Sequence, residues 1–174
     1  MAARINLTTT SYVVLGLVGC MEPVTSYEMK QHVAHSVGYF WPFPHSQLYA
    51  EPARLAGAKL LVEEVEPRGR RRRSYRMTPA GRRALEAWLA DPSAEPTEIR
   101  DQGLLKLFFG SQTGADERRA LAAAQEAAHR RREAEYQHLH EQVAEVATPH
   151  ELATLSMGLQ FERLAVEFWA GQHA

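Results

Sequence analysis

Apolar residues recur along this chain at two spacings, and the change between them outlines the fold. Where they return every three or four residues, as on one face of an α-helix, helices are predicted near residues 9–20, 25–36, 46–58, 79–90, 99–109, 114–146 and 149–171. Three of these starts carry their own chemistry. A Ser or Thr hydroxyl just before a helix accepts a bond from an unpaired first-turn N–H, and a Glu three residues on returns one. Thr25-Ser26-Tyr27-Glu28 has that spacing. Thr78-Pro79 and Thr148-Pro149 set a proline at the first helical position, where its missing donor costs nothing, and Glu151 completes the second box. Between the third and fourth helices, Leu61, Val62 and Val65 precede Pro67-Arg68-Gly69-Arg70, and Tyr75 and Met77 alternate with Ser74 and Arg76. That pattern reads as a β-hairpin. Three helices, a basic-tipped hairpin and a further helix follow one another in the order of a winged helix-turn-helix module.

The module ends at Asp91-Pro92-Ser93-Ala94-Glu95-Pro96, where two prolines and small polar residues mark a linker. The expected architecture is mainly α with a small hairpin wing, in two domains, 1–92 and 93–174. Charge follows the same division. The net charge is only -1, but residues 1–92 hold 12 Lys and Arg against 8 Asp and Glu, whereas residues 93–174 hold 8 against 13. A polyanionic partner therefore belongs to the first half. The lone Cys20 excludes an intramolecular disulfide and fits a reducing compartment. The longest apolar stretch, Tyr12 to Met21, is about half of the ~20 residues that span a bilayer, and Met1-Ala2-Ala3-Arg4 lacks a signal-peptide pattern. A cytoplasmic protein without a membrane partner is expected.

The hairpin tip places Arg68, Arg70, Arg71, Arg72 and Arg73 together beside a turn-permitting glycine. Such density repels itself unless phosphates are near. The second element is the helix that opens at His45-Ser46-Gln47-Leu48-Tyr49, after Phe40-Trp41-Pro42-Phe43-Pro44. Its first turn offers Ser46, Gln47 and Tyr49 to phosphates or base edges, while Leu48 and Leu55 face a core. It is the expected recognition helix. Trp41 and Phe43 are expected to pack rather than stack on bases.

At these residues the chain resembles the PadR family of transcriptional regulators. The matching segments are Leu7-Thr8-Thr9-Thr10 with Val14-Leu15-Gly16-Leu17, Tyr27-Glu28-Met29-Lys30, Phe40-Trp41-Pro42 with His45-Ser46-Gln47-Leu48-Tyr49, Tyr75-Arg76-Met77-Thr78-Pro79-Ala80-Gly81, and Leu104-Leu105-Lys106-Leu107-Phe108-Phe109-Gly110. The resemblance implies an N-terminal winged-helix domain, a C-terminal helical dimerisation domain, and repression at palindromic operators in double-stranded DNA, often relieved by a small molecule. It also implies that the helix from His45 through Arg54 enters the major groove and that the hairpin arginines flank it. Two positions depart from the family. Tyr49-Ala50-Glu51-Pro52 stands where Tyr-Pro-Glu-Leu is usual, and Pro52 removes a helical hydrogen bond and tends to kink the helix. Lys59 stands where a glycine usually closes that helix, with Gly57 two residues earlier.

In the second half, the segment 114–147 is rich in good helix formers and long enough to need a partner. Leu121, Ala128, Leu139, Val143 and Val146 suggest its buried stripe. On the last helix, Leu152, Leu155, Leu159, Val166 and Trp169 fall on one side and Met157, Phe161, Leu164 and Phe168 roughly opposite. Two stripes call for two partners, the preceding helix and the same helix of a second subunit. Leu152, Leu155, Met157, Leu159, Phe161, Leu164 and Phe168 are therefore the candidate dimerisation residues. A two-fold homodimer would present two recognition helices about one DNA turn apart.

Gly-rich phosphate loops, Cys-x-x-Cys, His-Glu-x-x-His and Gly-x-Ser-x-Gly are all missing, so neither catalysis nor a cofactor is expected. The pairs His32/His35 and His138/His140 lack a third ligand for a metal. Two other functions remain open, a nonspecific architectural nucleic-acid binder and a helical adaptor protein. The aromatics Trp88, Phe108, Phe161, Phe168 and Trp169 are candidates to line an effector cavity, although helical aromatics more often form core.

Overall fold

The computed structural model describes residues 5–41, 44, 46–68 and 71–173. The chain divides into two compact units after Glu95, within the Asp91–Pro96 linker and three residues beyond the predicted boundary.

The first unit contains α1 (Thr9–Met21), α2 (Ser26–Ala34), a 3-10 turn (Val37–Tyr39), α3 (Gln47–Gly57), β1 (Leu61–Val65), β2 (Arg73–Met77) and α4 (Pro79–Ala90). Local capping sets the helix starts. Thr25 and Glu28 exchange side-chain bonds with each other's backbone N–H, and Thr78 caps Gly81. A third box, Thr8 with Ser11, opens α1. Helix α2 ends two residues earlier than predicted, where the Ser36 hydroxyl bonds the His32 carbonyl at 2.7 Å and the chain tightens into the 3-10 turn. The strands pair antiparallel in the register Leu61↔Met77 to Val65↔Arg73. Val24, between α1 and α2, exchanges two backbone bonds with Tyr75 at 3.1 and 2.8 Å, which ties the hairpin to the helices.

Val14, Leu15, Val18, Met29, Leu48 and Leu55 are among the side chains fully or almost fully removed from solvent, with Leu61 and Tyr75 closing the core from the hairpin. Fully burying one such aliphatic side chain contributes about 1.5–3 kcal/mol. Helix α3 runs unbroken through Pro52. The ring is itself buried with Leu48 and Leu55, and this apolar burial offsets the lost hydrogen bond that predicts a kink. The helix then closes without the family's glycine. Lys59 adopts the left-handed conformation (φ 63) and donates to the Ala56 carbonyl at 2.9 Å, while Leu60 N–H reaches Leu55 at 3.0 Å. These two bonds form a Schellman turn.

A polar clasp seats α3 on the start of α1. Arg54 donates to both Glu51 oxygens at 2.8 and 2.6 Å, to the Ser11 hydroxyl at 2.9 Å and to the Asn6 carbonyl at 3.2 Å. Burial alone would raise the Glu51 pKa. Hydrogen bonds from Arg54 and Ser11, together with the Arg54 charge, outweigh it and hold the carboxyl below the ordinary carboxylate value.

The second unit contains α5 (Gln102–Phe108), a 3-10 turn (Gly110–Gln112), α6 (Ala115–Val143), α7 (Pro149–Ala170) and a last 3-10 turn (Gly171–His173). Helix α5 begins three residues after its predicted start, because Asp101 caps Gly103 and Leu104 at 2.6 and 3.2 Å. Helices α6 and α7, about 43 and 33 Å long, form an antiparallel hairpin, opened on the α7 side by the Thr148 and Glu151 box. Its buried layer is Ala122, Tyr136, Leu139, Glu162, Val166 and Trp169. Val146, expected in that layer, is exposed because α6 stops at Val143. Glu162 is the charged member, held by His129 Nδ1 at 2.6 Å and Arg132 Nε at 3.2 Å. Arg132, itself exposed, makes this contact from the surface. Among the described residues no helix is long and apolar enough to cross a membrane.

Two tests follow from this packing. A Cβ on Gly81 would lie 2.1 Å from the Leu60 carbonyl and 2.9 Å from the Met77 sulfur. Gly81→Ala should therefore cost about 1–3 kcal/mol of overpacking strain, read by urea unfolding. Because the folded pKa of Glu51 is depressed, its contribution is complete above the unfolded value near 4.5 and disappears as pH falls through the folded one. Thermal melts from pH 7 to 3 should show Glu51→Gln already destabilised at pH 7 and converging on the unmodified chain in acid.

Candidate nucleic-acid interface

Burial of Leu48, Pro52 and Leu55 turns the opposite face of α3 outward, and that face consists of Ser46, Ala50, Ala53 and Gly57. Small side chains there permit close approach to another surface. Ser46 precedes the helix without capping it, so its hydroxyl remains available to a phosphate, while the Gln47 and Tyr49 N–H groups of the first turn donate to the Pro44 and Ser46 carbonyls at 3.0 and 3.1 Å. Tyr49, half exposed, leans to one flank, toward α2 and the hairpin. Gln47 is exposed on the other flank, where its Oε1 accepts from the Thr10 hydroxyl at 2.8 Å.

Between α2, α3 and the hairpin lies an open groove of about 970 Å³, bordered by Tyr27, Glu28, Tyr49, Ala53, Arg72 and Arg73. Tyr27 projects from the first turn of α2 and its hydroxyl accepts from Gln31 at 2.7 Å. Glu28 divides its carboxylate. One oxygen completes the Thr25 cap, and the other takes the Arg72 guanidinium. The bonds from the Thr25 backbone and hydroxyl depress its pKa against burial, with Arg72 assisting, so the carboxylate stays charged and anchors the wing's base to α2.

The loop between the strands is closed by Glu66 N–H to Arg72 carbonyl at 3.0 Å, and Arg71 turns through a left-handed conformation (φ 49). The arginines then separate by partner. Arg73 pairs with Glu63 at 2.8 Å beside buried Tyr75, and Arg76 pairs with Glu64 at 2.9 Å on the other face of the hairpin. Burial first, then the Glu63 charge, raises the Tyr75 pKa, so its hydroxyl stays protonated. Arg68 and Arg71 are exposed at the tip and, among the described residues, meet no carboxylate. Gly69, Arg70, Phe43 and His45, all singled out in the sequence, lie outside the described residues.

The structure thus brings Tyr49 and Arg72 to one groove, leaves Ser46 on the outward face of α3 and Gln47 on its far flank, and exposes Arg68 and Arg71 at the tip of the wing. Arg54, expected at the DNA face, has its guanidinium bound to Glu51, Ser11 and the Asn6 carbonyl, and Arg73 pairs with Glu63. Trp41, expected to pack, is 46% exposed. Tyr27, Gln31, Thr10, Ala50 and Ala53 join the face, although nothing in their local sequence marks them for it. Among the described residues no group of three His, Cys, Asp or Glu converges to hold a metal ion.

In the second unit the two stripes of α7 part company. Leu152, Leu155 and Leu159, offered as dimerisation residues, are half-buried in line with buried Glu162, Val166 and Trp169 on the stripe packed against α6. Met157, Phe161, Leu164 and Phe168 are 66%, 43%, 65% and 40% exposed. Of the aromatics considered for a cavity, Trp169 is buried in the hairpin, Trp88 stacks on Tyr12 at 4.7 Å, and Phe108 is 80% exposed.

Comparison with known proteins agrees with this fold. The model of the transcriptional regulator PadR-like family matches residues 14–87, and that of the virulence activator alpha C-terminal domain matches residues 99–170. The negative transcriptional regulator PadR of Bacillus subtilis is 27% identical over 100 residues, which cover 56% of this chain and 54%, about half, of that relative's length. Solved structures share the fold. Bacillus subtilis PadR in complex with operator DNA gives a TM-score of 0.84 at 22% identity, over 94% of this chain and 96% of that one. The same protein with p-coumaric acid gives 0.80 at 21%, over 94% and 96%. The Vibrio cholerae virulence activator AphA gives 0.72 at 26%, over 95% and 96%. With a PadR-like match running from α1 into α4 and a virulence-activator match over the second unit, this chain is similar in both of its units to the PadR-like transcriptional regulators.

Proposed function

We propose that this chain is a sequence-specific transcriptional repressor that binds a palindromic operator as a homodimer in the cytoplasm. The observation that carries this reading is the outward face of α3, small and polar, flanked on one side by a wing whose tip arginines Arg68 and Arg71 meet no carboxylate among the described residues. In it, α3 enters the major groove with Ser46, Gln47 and Tyr49 at its leading turn. Arg68, Arg70 and Arg71 meet phosphates, while Arg72 is shared between Glu28 and the backbone of the duplex. Arg54 and Arg73 hold the reading elements in place and make no DNA contact. The operator complex of Bacillus subtilis PadR supports the assignment.

The second copy covers the outer stripe of α7. Met157, Phe161, Leu164 and Phe168 follow one another at four, three and four residues, the spacing of a seam between paired helices. Dimerisation matters to affinity, because one small domain alone binds weakly at physiological salt, and two linked reading heads raise the effective concentration of the second contact. A small-molecule effector, as the p-coumaric acid complex of the Bacillus protein suggests, would relieve repression by binding one spacing of the two heads better than another. The activator name of the Vibrio relative fits the same machinery, since the sign of regulation depends on where the operator lies at the promoter.

Selection from random duplex DNA at near-physiological salt, followed by sequencing of the bound pool, tests the proposal. It should enrich an inverted repeat. Only unselective, salt-labile binding would favour an architectural binder, and no binding an adaptor. Leu164→Glu should convert the dimer to a monomer by light scattering and lose the repeat, while the circular dichroism of the helices is retained.

A further inference from the structure

The orientation of one side-chain amide determines which base is read. A glutamine amide has an acceptor end and a donor end, and the end that faces the duplex decides what it recognises. Gln47, the first residue of α3, has its oxygen turned to the Thr10 hydroxyl at 2.8 Å. A hydroxyl by itself bonds either end of an amide, so the surroundings choose. Thr10 lies in the first turn of α1, where unpaired N–H groups give the helix end a partial positive charge. The Arg54 guanidinium also lies there, on Ser11 and the Asn6 carbonyl, but its charge is balanced by the Glu51 carboxylate, so the helix end sets the sign of the field. An amide oxygen is stabilised in that field and an amide NH2 group is repelled.

We infer that Thr10 is a specificity-determining positioning residue, which fixes Gln47 with its NH2 group outward so that α3 favours a base whose major-groove edge offers acceptors and no donor, guanine or thymine, over adenine, whose N6 amino group would be left without an acceptor. A freely turning glutamine instead pairs with adenine through its oxygen and nitrogen together. Thr10 touches no base in this arrangement. It acts through Gln47, across 37 residues of sequence. The inference rests on the proposal that α3 enters the groove, and it adds the polarity of one contact.

The test runs the duplex selection in parallel on the unmodified full-length protein and on Gln47→Ala, Thr10→Val and Thr10→Ser, with thermal melts confirming that each folds. Valine keeps the shape of threonine without its hydroxyl, and serine keeps the hydroxyl. Gln47→Ala should lose the preference at one position per half-site and so identify it. At that position the unmodified protein and Thr10→Ser should enrich guanine or thymine, and Thr10→Val should admit adenine, shifting the ratio by about tenfold. The inference is overturned if the position reads adenine from the outset, if Thr10→Val leaves its preference unchanged, or if Gln47→Ala alters none. A failure of the unmodified protein to enrich any repeat would instead remove the proposed function itself, and the inference with it.

Discussion

The structure of the first unit depends on one constraint, the seating of α3 on α1. Leu48, Pro52 and Leu55 must lie against a core that includes Val14, Leu15 and Val18, and each buried aliphatic side chain is worth about 1.5–3 kcal/mol. Once that stripe is committed, the helix has no rotational freedom. Ser46, Ala50, Ala53 and Gly57 face outward because nothing else is left to do so. The Arg54 clasp fixes the helix along its axis as the apolar stripe fixes its rotation, and the Schellman turn at Lys59 then aims the chain into β1. A helix free to roll would present no constant surface to a duplex.

Charge is arranged around that seat rather than spread over it. Seen in sequence, the wing is a uniform arginine run. Folded, it is graded, from Arg73 and Arg76 bound to the hairpin's own carboxylates, through Arg72 on Glu28, to Arg68 and Arg71, which meet none among the described residues. Exposed ion pairs of this kind contribute little to stability, so their main effect is geometric: Arg72 holds the base of the wing against α2, and Arg73 and Arg76 brace one strand on the other, while the tip remains available. In the second unit the buried Glu162 plays a comparable part. An ion pair in an otherwise apolar stripe adds little net stability but penalises a slipped register, and here it fixes which stripe of α7 meets α6 and which stays outside.

What is legible in the sequence is local. Capping residues at Thr25, Thr78 and Thr148, the hairpin alternation and the two stripes of α7 act within a few residues of themselves, and the elements they predict are present. Boundaries shift where a competing local bond intervenes, Asp101 at α5 and Ser36 after α2. The site is harder to read because its assignments are made across the fold. Nothing near Arg54 in sequence announces that Ser11 and Asn6 will occupy its guanidinium, and nothing near Gln47 announces Thr10. The arginine run likewise offers five equivalent candidates, since Glu28 and Glu63 become neighbours only when the wing closes. Pro52 reads as a kink because its local cost is visible in the sequence and its burial is not.

In the proposed reading, intramolecular pairing separates the arginines that hold the interface from those that would meet DNA, and the salt dependence of operator binding tests this most directly. Each phosphate that the protein ceases to neutralise lowers the slope of log Kobs against log salt by about one. Measured on the selected operator, Arg68→Ala and Arg71→Ala should each reduce the slope by about one per half-site, and Arg73→Ala should leave it unchanged. Slopes that fall for Arg73 and hold for Arg68 and Arg71 would contradict the account.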